Sequence, residues 1–263
     1  GSGLVGSEMC IRDSSKSVYD GTSSVAYSNW KYNYAVDSNN PGLAYSMFDI
    51  PHRVMVSVGY RTPRYAKGFM ATTVSLVYNG YVGQRYSLTM NESYYDAEKK
   101  KTVYIDYNGD GWGGNSLLYI PTEDELQKMD FKTEEDRRKF DEWIEGDSYA
   151  KKHRGAYAMR NSNSAPWENR VDLHVAQDIF VLKDRGSKFQ VTFDVTNFAN
   201  MLNKKWGTTY TAAYNVMPLQ VIGSKKGEDG NYTNTYAYNS RNTITKNDVL
   251  SRWHAQIGFK YIF

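Results

Sequence analysis

The chain has 263 residues, of which 40% are hydrophobic, 23% charged and 15% aromatic, and its formal net charge is +3. No apolar run approaches the ~18 residues of a membrane helix, which excludes a helical membrane protein. A membrane β-barrel is not excluded, because its alternating strands average out as polar. The mild charge gives no reason to expect nucleic acid as a partner.

The first residues are unlike the rest of the chain. Residues 4–14 read LVGSEMCIRDS and are similar to a translated sequencing adapter, which has no place in fold reasoning. We assign 1–14 to a non-native scar and 15–263 to the protein itself. The chain begins with glycine and shows no signal peptide, so we expect it to be the C-terminal piece of a longer protein.

Residues 49–61 and 69–79 both alternate apolar and polar side chains with a period of two. A brief link containing Pro63 joins them, a pattern that predicts an antiparallel hairpin. The alternating side chains expected on one face are Val54, Val56, Val58, Tyr60, Thr72, Val74, Leu76 and Tyr78.

The long connection at 92–166 carries helical signals. Thr122 and Glu125 have the spacing of a capping box, and Gly146 is placed to end a helix. We therefore predict a helical insert at about 122–147. Its apolar stripe is Phe140, Trp143 and Ile144.

A second hairpin follows, with strands at 171–181 and 189–195 and a turn at 184–187. The last strand runs over 253–263. Its predecessor is separated from it by another long connection, 203–249, so that short and long connections alternate along the chain.

This alternation decides between two interpretations of the strands. In a soluble sandwich the apolar faces pack on a second sheet, whereas in an outer-membrane barrel they meet lipid and the external loops are the long ones. Structureless loops of this length are unusual in a soluble domain. We predict an all-β fold: part of an antiparallel transmembrane β-barrel with long external loops, one of them partly helical. In that barrel the membrane strands would extend over 49–61, 69–90, 168–183 and 188–200, followed by the C-terminal strand.

Asp106, Asn108 and Asp110 match the first half of a calcium loop, with oxygen side chains at alternate positions and a glycine at the sixth. The acid expected at the twelfth position is missing, since Leu117 stands there. A metal-free turn rich in Asp and Asn is the favoured interpretation, and calcium is the only cofactor that the sequence suggests.

His174 shares a predicted strand face with Asp172 and Asp178, and Asp194 is expected across the hairpin. A metal or acid–base site would use such a set, but polar lining of a barrel needs no chemistry. No nucleophile, base and orienting group can be assembled from the motifs, so we do not predict an enzyme.

The C-terminal strand carries a specific signal: Gln256, Gly258, Tyr261 and Phe263. It resembles the signal by which the outer-membrane assembly machinery recognises the last strand of a barrel. Capture of an unpaired edge strand by strand addition gives this signal a physical sense.

Five segments of the chain resemble the C-terminal barrel of TonB-dependent outer-membrane receptors of Bacteroidota, and within these the Oar-like group with a carboxypeptidase-regulatory-like domain. They span nearly everything after the adapter-like stretch. One departure is Ser116, where the family often has an acidic residue. The segments lie at 27–54, 106–121, 152–178, 193–207 and 251–263.

The resemblance implies a 22-stranded barrel in the outer membrane of a Gram-negative bacterium, of which this chain supplies about five strands. It implies uptake of a nutrient, driven by TonB through an upstream region. The implied partners are outer-membrane lipid, the barrel-assembly machinery, TonB, and a small-molecule, peptide or glycan ligand.

Two alternatives remain open. One is a small complete outer-membrane barrel that acts as an enzyme or adhesin, which needs an even strand count of at least eight. The other is a secreted, soluble, carbohydrate-binding β-sandwich rich in Tyr and Trp.

Overall fold

The computed structural model describes the backbone of residues 4–11 and, in full, residues 14–21, 23–181, 187–213, 215–228, 230–240 and 244–263. Strands account for 45% of the chain and helices for 14%, and most strand pairs are antiparallel. The chain is therefore mostly β, which confirms the coarser part of the predicted all-β fold. Within the described part of the chain, no helix is both long enough and apolar enough to cross a membrane.

The elements are numbered in chain order. The strands are β1 (Leu4–Ile11), β2 (Lys16–Ser17), β3 (Ala44–Tyr45), β4 (His52–Arg61), β5 (Met70–Tyr81), β6 (Arg85–Asn91), β7 (Ser93–Asp96), β8 (Lys101–Tyr104), β9 (Tyr119–Ile120), β10 (Asp130–Phe131), β11 (Ala156–Tyr157), β12 (Asn163–Ser164), β13 (Glu168–Phe180), β14 (Lys188–Thr196), β15 (Tyr210–Thr211), β16 (Asn215–Lys226), β17 (Tyr232–Tyr238), β18 (Thr245–Lys246) and β19 (His254–Ile262). The helices are α1 (Ala26–Lys31), α2 (Glu123–Lys128), α3 (Glu134–Gly146) and α4 (Phe198–Leu202), with one 3₁₀ turn at Ala150–Lys152.

The main sheet has six antiparallel strands in the order β1-β4-β5-β13-β14-β19. Its last five strands are the five that the sequence predicts, and they lie side by side in chain order. The turn predicted at 184–187 falls mostly outside the described residues, of which Ser187 alone is described. The adapter-like β1 pairs with the edge of β4, from Leu4 opposite Gly59 to Ile11 opposite His52.

Cross-strand rows confirm the predicted alternation. Val58 pairs with Leu76, and Leu76 pairs with Leu173. The next row on the same face runs across five strands. It consists of Tyr60, Val74, Val175, Phe193 and Ile257. One face of this sheet, called the apolar face below, is thus apolar from β4 to β19, and the face behind it is called the polar face.

Two strands end earlier than the sequence suggested. A single strand had been expected over 69–90, but β5 stops at Tyr81 and β6 joins a different sheet. At the bend, a Cβ on Gly83 would lie 2.8 Å from the Cβ of Ala165, so a side chain there would clash. The strand expected over 188–200 stops at Thr196, because Asn197 has a left-handed φ of 56° and starts α4.

The second sheet has the order β10-β17-β16-β6-β12 and includes two parallel pairs, β16 with β6 and β10 with β17. Parallel neighbours need a long crossover, which the connections between β6 and β16 supply. This sheet is not predicted from the sequence, in which both long connections are interpreted as loops.

The buried hydrophobic cluster belongs to this second unit. Its members lie at 86–165 and 212–221, with Leu88, Leu118 and Phe140 fully buried. No member of the cluster lies on β4, β5, β13, β14 or β19. Among the described residues, the main sheet is therefore not covered by the hydrophobic core.

The predicted helical insert forms α2 and α3. The Thr122 side chain accepts a hydrogen bond from the Glu125 N–H, and the Glu125 carboxylate accepts one from the Thr122 N–H at 2.9 Å. Phe140 and Ile144 of α3 are buried. The prediction that Gly146 caps α3 is wrong: Gly146 is the last helical residue, and Asp147 closes the helix with an extended conformation that any residue can adopt.

Candidate functional site

The polar face of the main sheet holds a buried carboxylate. Asp178 on β13 is 2% exposed. Its Oδ2 accepts hydrogen bonds from Arg61 at 2.8 Å and Lys188 at 2.7 Å, and its Oδ1 accepts one from Gln190 at 2.8 Å. The carboxylate thus joins β4, β13 and β14 near the short connections, and it is compensated by two cations.

His174 and Asp194 face each other across β13 and β14, as predicted, and the His174 Nδ1 contacts the Asp194 Oδ1. Asp172 is engaged elsewhere, where it accepts a hydrogen bond from the Asn197 N–H at 2.7 Å. Asp178 is held by its own cations. In the part of the chain that the structure describes, no three His, Cys, Asp or Glu side chains are grouped to hold a metal. The structure therefore brings His174 and Asp194 together, while Asp172 and Asp178 have other partners.

The carboxylates of the Asp/Asn-rich loop at 106–111 accept hydrogen bonds from donors within the loop and outside it. Asp106 Oδ2 accepts a hydrogen bond from the Gly111 N–H at 2.7 Å. Asp110 Oδ2 accepts hydrogen bonds from the Ser38 hydroxyl at 2.6 Å and the Asn115 amide at 2.6 Å. Partial burial raises the pKa of Asp110, but these hydrogen bonds outweigh it and hold that pKa below its usual range.

Glu92 lies against this loop and was not noticed in the sequence. It is 2% exposed, its Oε2 accepts a hydrogen bond from the Gly114 N–H, and its Oε1 has no hydrogen-bond partner among the described residues. Burial raises the pKa of Glu92, and the charge of Asp106 adds to the effect. A third carboxylate therefore lies beside the two that the loop itself carries, and calcium binding stays a prediction for Asp106, Asn108 and Asp110.

A cavity of about 300 Å³ lies between the segment before β4 and the residues around β6 and Asn161. Its walls combine the Asp20 carboxylate and the Arg85 guanidinium with the amides of Asn33 and Asn161. The walls also include two tyrosines and a methionine: Tyr32, Tyr34 and Met47. A cavity of this size and polarity can hold a small polar molecule.

The cavity walls are held by buried hydrogen bonds. Asn161 has a left-handed φ of 55°, and its amide donates to Asp20 at 2.9 and 3.0 Å and to the Tyr45 carbonyl at 2.8 Å. Arg85 donates to Asp49 at 2.7 Å, with its guanidinium stacked 4.0 Å from the Tyr45 ring centre. These contacts fix the shape of the cavity walls.

Sequence reasoning missed this cavity because its residues come from three distant parts of the chain. Arg85, at the start of β6 and 7% exposed, is the one local signal that could have pointed to it. A buried arginine requires a buried acid, and nothing in the spacing identifies Asp49 as that acid.

The predicted assembly signal lies on β19, at the edge of the main sheet. Gln256 is opposite Asp194, and Gly258 is opposite Thr192, whose hydroxyl would lie 2.6 Å from a Cβ at that glycine. Tyr261 and Phe263 follow on the apolar face and are 48% and 96% exposed. The four residues therefore divide between the two faces of one edge strand.

No protein-family model, curated protein or solved structure matches the chain. The function must therefore be argued from its own geometry. That geometry offers an apolar face without a core, a polar face with compensated charges, and a preformed polar cavity.

Proposed function

We propose that the chain is the C-terminal barrel segment of a TonB-dependent outer-membrane receptor, which takes up a nutrient and is not an enzyme. In this proposal the apolar face contacts lipid and the polar face lines the lumen. The second sheet with its helices stands outside the cell.

The observation that carries the proposal is the exposure of the apolar face. Tyr60, Phe193 and Ile257, from one cross-strand row, are 52%, 40% and 62% exposed. A soluble sandwich would cover such a row with a second sheet, and the hydrophobic cluster lies elsewhere in the chain. Lipid is the environment that suits a wide apolar sheet face without a cover.

The spacing of aromatic residues supports the same environment. On the apolar face, Tyr78 pairs with Val171, whereas Phe189 pairs with Ile179. These levels are eight residues apart on β13, or ~26 Å at ~3.3 Å per residue. At a strand tilt of ~40° this corresponds to ~20 Å, close to the ~25 Å apolar band between the aromatic girdles of outer-membrane barrels.

The edges of the sheet support a larger barrel. The β4 edge is paired with β1, which belongs to the adapter-like stretch, and β19 forms the opposite edge among the described strands. Unpaired backbone groups are not tolerated in lipid. We infer that a preceding barrel strand takes the place of β1 in the intact protein, and that β19 pairs with the first barrel strand.

The preformed cavity is where we place a ligand on the external side. Its walls carry both charges, with Asp49 compensating Arg85 at 2.7 Å. A small molecule, a peptide end or a glycan unit fits its volume, and the proposal leaves the choice among them to binding experiments.

Labelling on whole cells tests the orientation. In the intact protein with its native cysteines replaced, Gly146→Cys and Glu228→Cys should react with a membrane-impermeant maleimide, because both positions are exposed in the external unit. Lys67→Cys, exposed in a short connection at the opposite end of the sheet, should react only after the outer membrane is broken. Labelling of Lys67→Cys on intact cells, with protection at the other two, would contradict the proposal.

A further inference from the structure

Two segments meet at the end of the main sheet where β14 ends and β19 begins. One is 198–206, which contains α4, and the other is 246–253. Asn197 joins them, since its amide donates to the Gly207 carbonyl at 2.8 Å and to the Ser251 carbonyl at 2.9 Å. Together the two segments form what we call the rim patch.

The rim patch exposes many apolar side chains. All are at least 40% exposed, and the largest exposed fraction is 67%. Exposed apolar side chains grouped on two joined segments favour an interaction site. Its members are Met201, Leu202, Trp206, Val249, Leu250 and Trp253.

The same patch is rich in cations. Lys204, Lys246 and Arg252 line a cavity of about 420 Å³ together with Trp253, and Asp248 is the one carboxylate there. Lys246 lies 3.7 Å from Asp248, and it donates to the Lys204 carbonyl at 3.4 Å. Neither the Lys204 ammonium nor the Arg252 guanidinium makes an ion pair with any described residue.

A second cavity, of about 450 Å³, adjoins the apolar face on the same rim. It is lined by Lys205 and by the rings of Trp167 and Trp206. Trp167 donates from its ring nitrogen to Asn169 at 3.0 Å, which fixes the indole at the level of the first residues of β13. Lysines and tryptophans thus occur side by side where the apolar face ends.

We propose that the rim patch binds the phosphate of an anionic lipid headgroup, an inference that rests on the proposed membrane location. The cations face a phosphate, and the apolar side chains and indoles contact the upper part of the acyl chains. Lysine and arginine stems lie along apolar surface while their charged ends reach the headgroup level. A free phosphate ion would make no use of the six exposed apolar side chains.

Lipid binding to the detergent-solubilised intact protein tests the proposal. Native mass spectrometry should show dioleoyl phosphatidylglycerol bound at least 10-fold more tightly than the net-neutral dioleoyl phosphatidylcholine. The double variant Lys204→Glu/Arg252→Glu should reduce phosphatidylglycerol affinity at least 10-fold. The matched control Lys225→Glu/Lys226→Glu changes two exposed lysines on β16, away from the rim, and should leave the affinity unchanged.

Three outcomes would overturn the inference. They are equal binding of the two lipids, unchanged affinity in the rim variant, and displacement of phosphatidylglycerol by millimolar inorganic phosphate. Outer-membrane fractionation of the same variants separates this failure from that of the proposed function. If the protein is in the membrane but its lipid affinity does not depend on the rim charges, only the lipid-binding inference is contradicted. If the protein is absent from the membrane, the proposed function is contradicted as well.

Discussion

Phe189 and Tyr261 face each other across β14 and β19, with ring centres 4.8 Å apart, and both rings are about half exposed at 53% and 48%. In the proposed membrane location, two aromatic rings that pack on each other and still face outward suit the boundary between lipid and water. Tyr261 continues this cluster to Phe263, at 6.1 Å. The pair therefore marks one border of the proposed lipid-facing band.

A lysine on the apolar face of β14 should lower membrane insertion, whereas a lysine on the polar face should not. Phe193→Lys places an ammonium on the apolar face and should cost ~2–4 kcal/mol in a membrane, lowering the amount of inserted barrel. Thr192→Lys, the adjacent residue on the polar face, is the matched control and should insert normally. Quantification in purified outer membranes measures both, and equal insertion of the two variants would show that the faces do not differ in environment.

The end of β19 should govern assembly. Changing both Tyr261 and Phe263 to Ser removes the last aromatic pair from the apolar face and should sharply lower outer-membrane insertion of the intact protein. Lys260→Ser, on the polar face directly before Tyr261, should insert like the wild type. Equal amounts of the double variant and the wild type in the outer membrane would show that Tyr261 and Phe263 do not act as an assembly signal.

Asp178 should matter more than Asp194 for stability. Asp178→Ala leaves Lys188 and Arg61 without their buried carboxylate and should cost ~3 kcal/mol. Asp194→Ala breaks the pair with His174, in which both side chains are 42% exposed, and should cost no more than ~1 kcal/mol. Urea unfolding in lipid vesicles gives both values, and a larger loss for Asp194→Ala would contradict the burial argument.

Glu92 should make the external unit less stable as pH rises. Its folded pKa lies above the unfolded value because of burial, so the folded state favours the protonated carboxyl. Stability from this group is fully present below the unfolded pKa and declines as pH rises through the folded pKa. Glu92→Gln should therefore unfold at a higher urea concentration than the wild type at pH 7, and the difference should vanish at low pH.

The same variant tests the calcium prediction. If the loop at 106–110 binds calcium with Glu92 beside it, 1 mM calcium should stabilise the wild type and not Glu92→Gln. Exposed Glu98, replaced by Gln, controls for a change of charge near the loop. Identical unfolding curves with calcium and with chelator in all three proteins would leave a metal-free loop.

Five strands of the main sheet, β4, β5, β13, β14 and β19, could be predicted because each carries a period-two pattern that depends on neighbouring residues alone. The capping box at Thr122 is likewise local, and it forms as expected. What escaped prediction depends on distant contacts: the break at Gly83 needs Ala165, and the parallel pairing of β16 with β6 needs the whole crossover between them.

The cavity shows the same limit. Asn161 takes a left-handed conformation and joins Asp20 to Tyr45, a relationship across more than a hundred residues that no spacing rule predicts. The candidate residues that sequence motifs did suggest, such as Asp106 and His174, sit in small local pairs or turns. Local patterns thus identified the sheet, whereas the ligand-sized space required the fold.

Solvent accessibility along β14 tests the central claim most directly. Single spin labels at Gln190, Val191, Thr192 and Phe193 of the intact protein in lipid vesicles report collisions with oxygen, which concentrates in lipid, and with a water-soluble nickel chelate. The account predicts high oxygen and low nickel accessibility at Val191 and Phe193, with the reverse at Gln190 and Thr192. Nickel accessibility without this period of two, or highest at Val191 and Phe193, would contradict a lipid-facing apolar face.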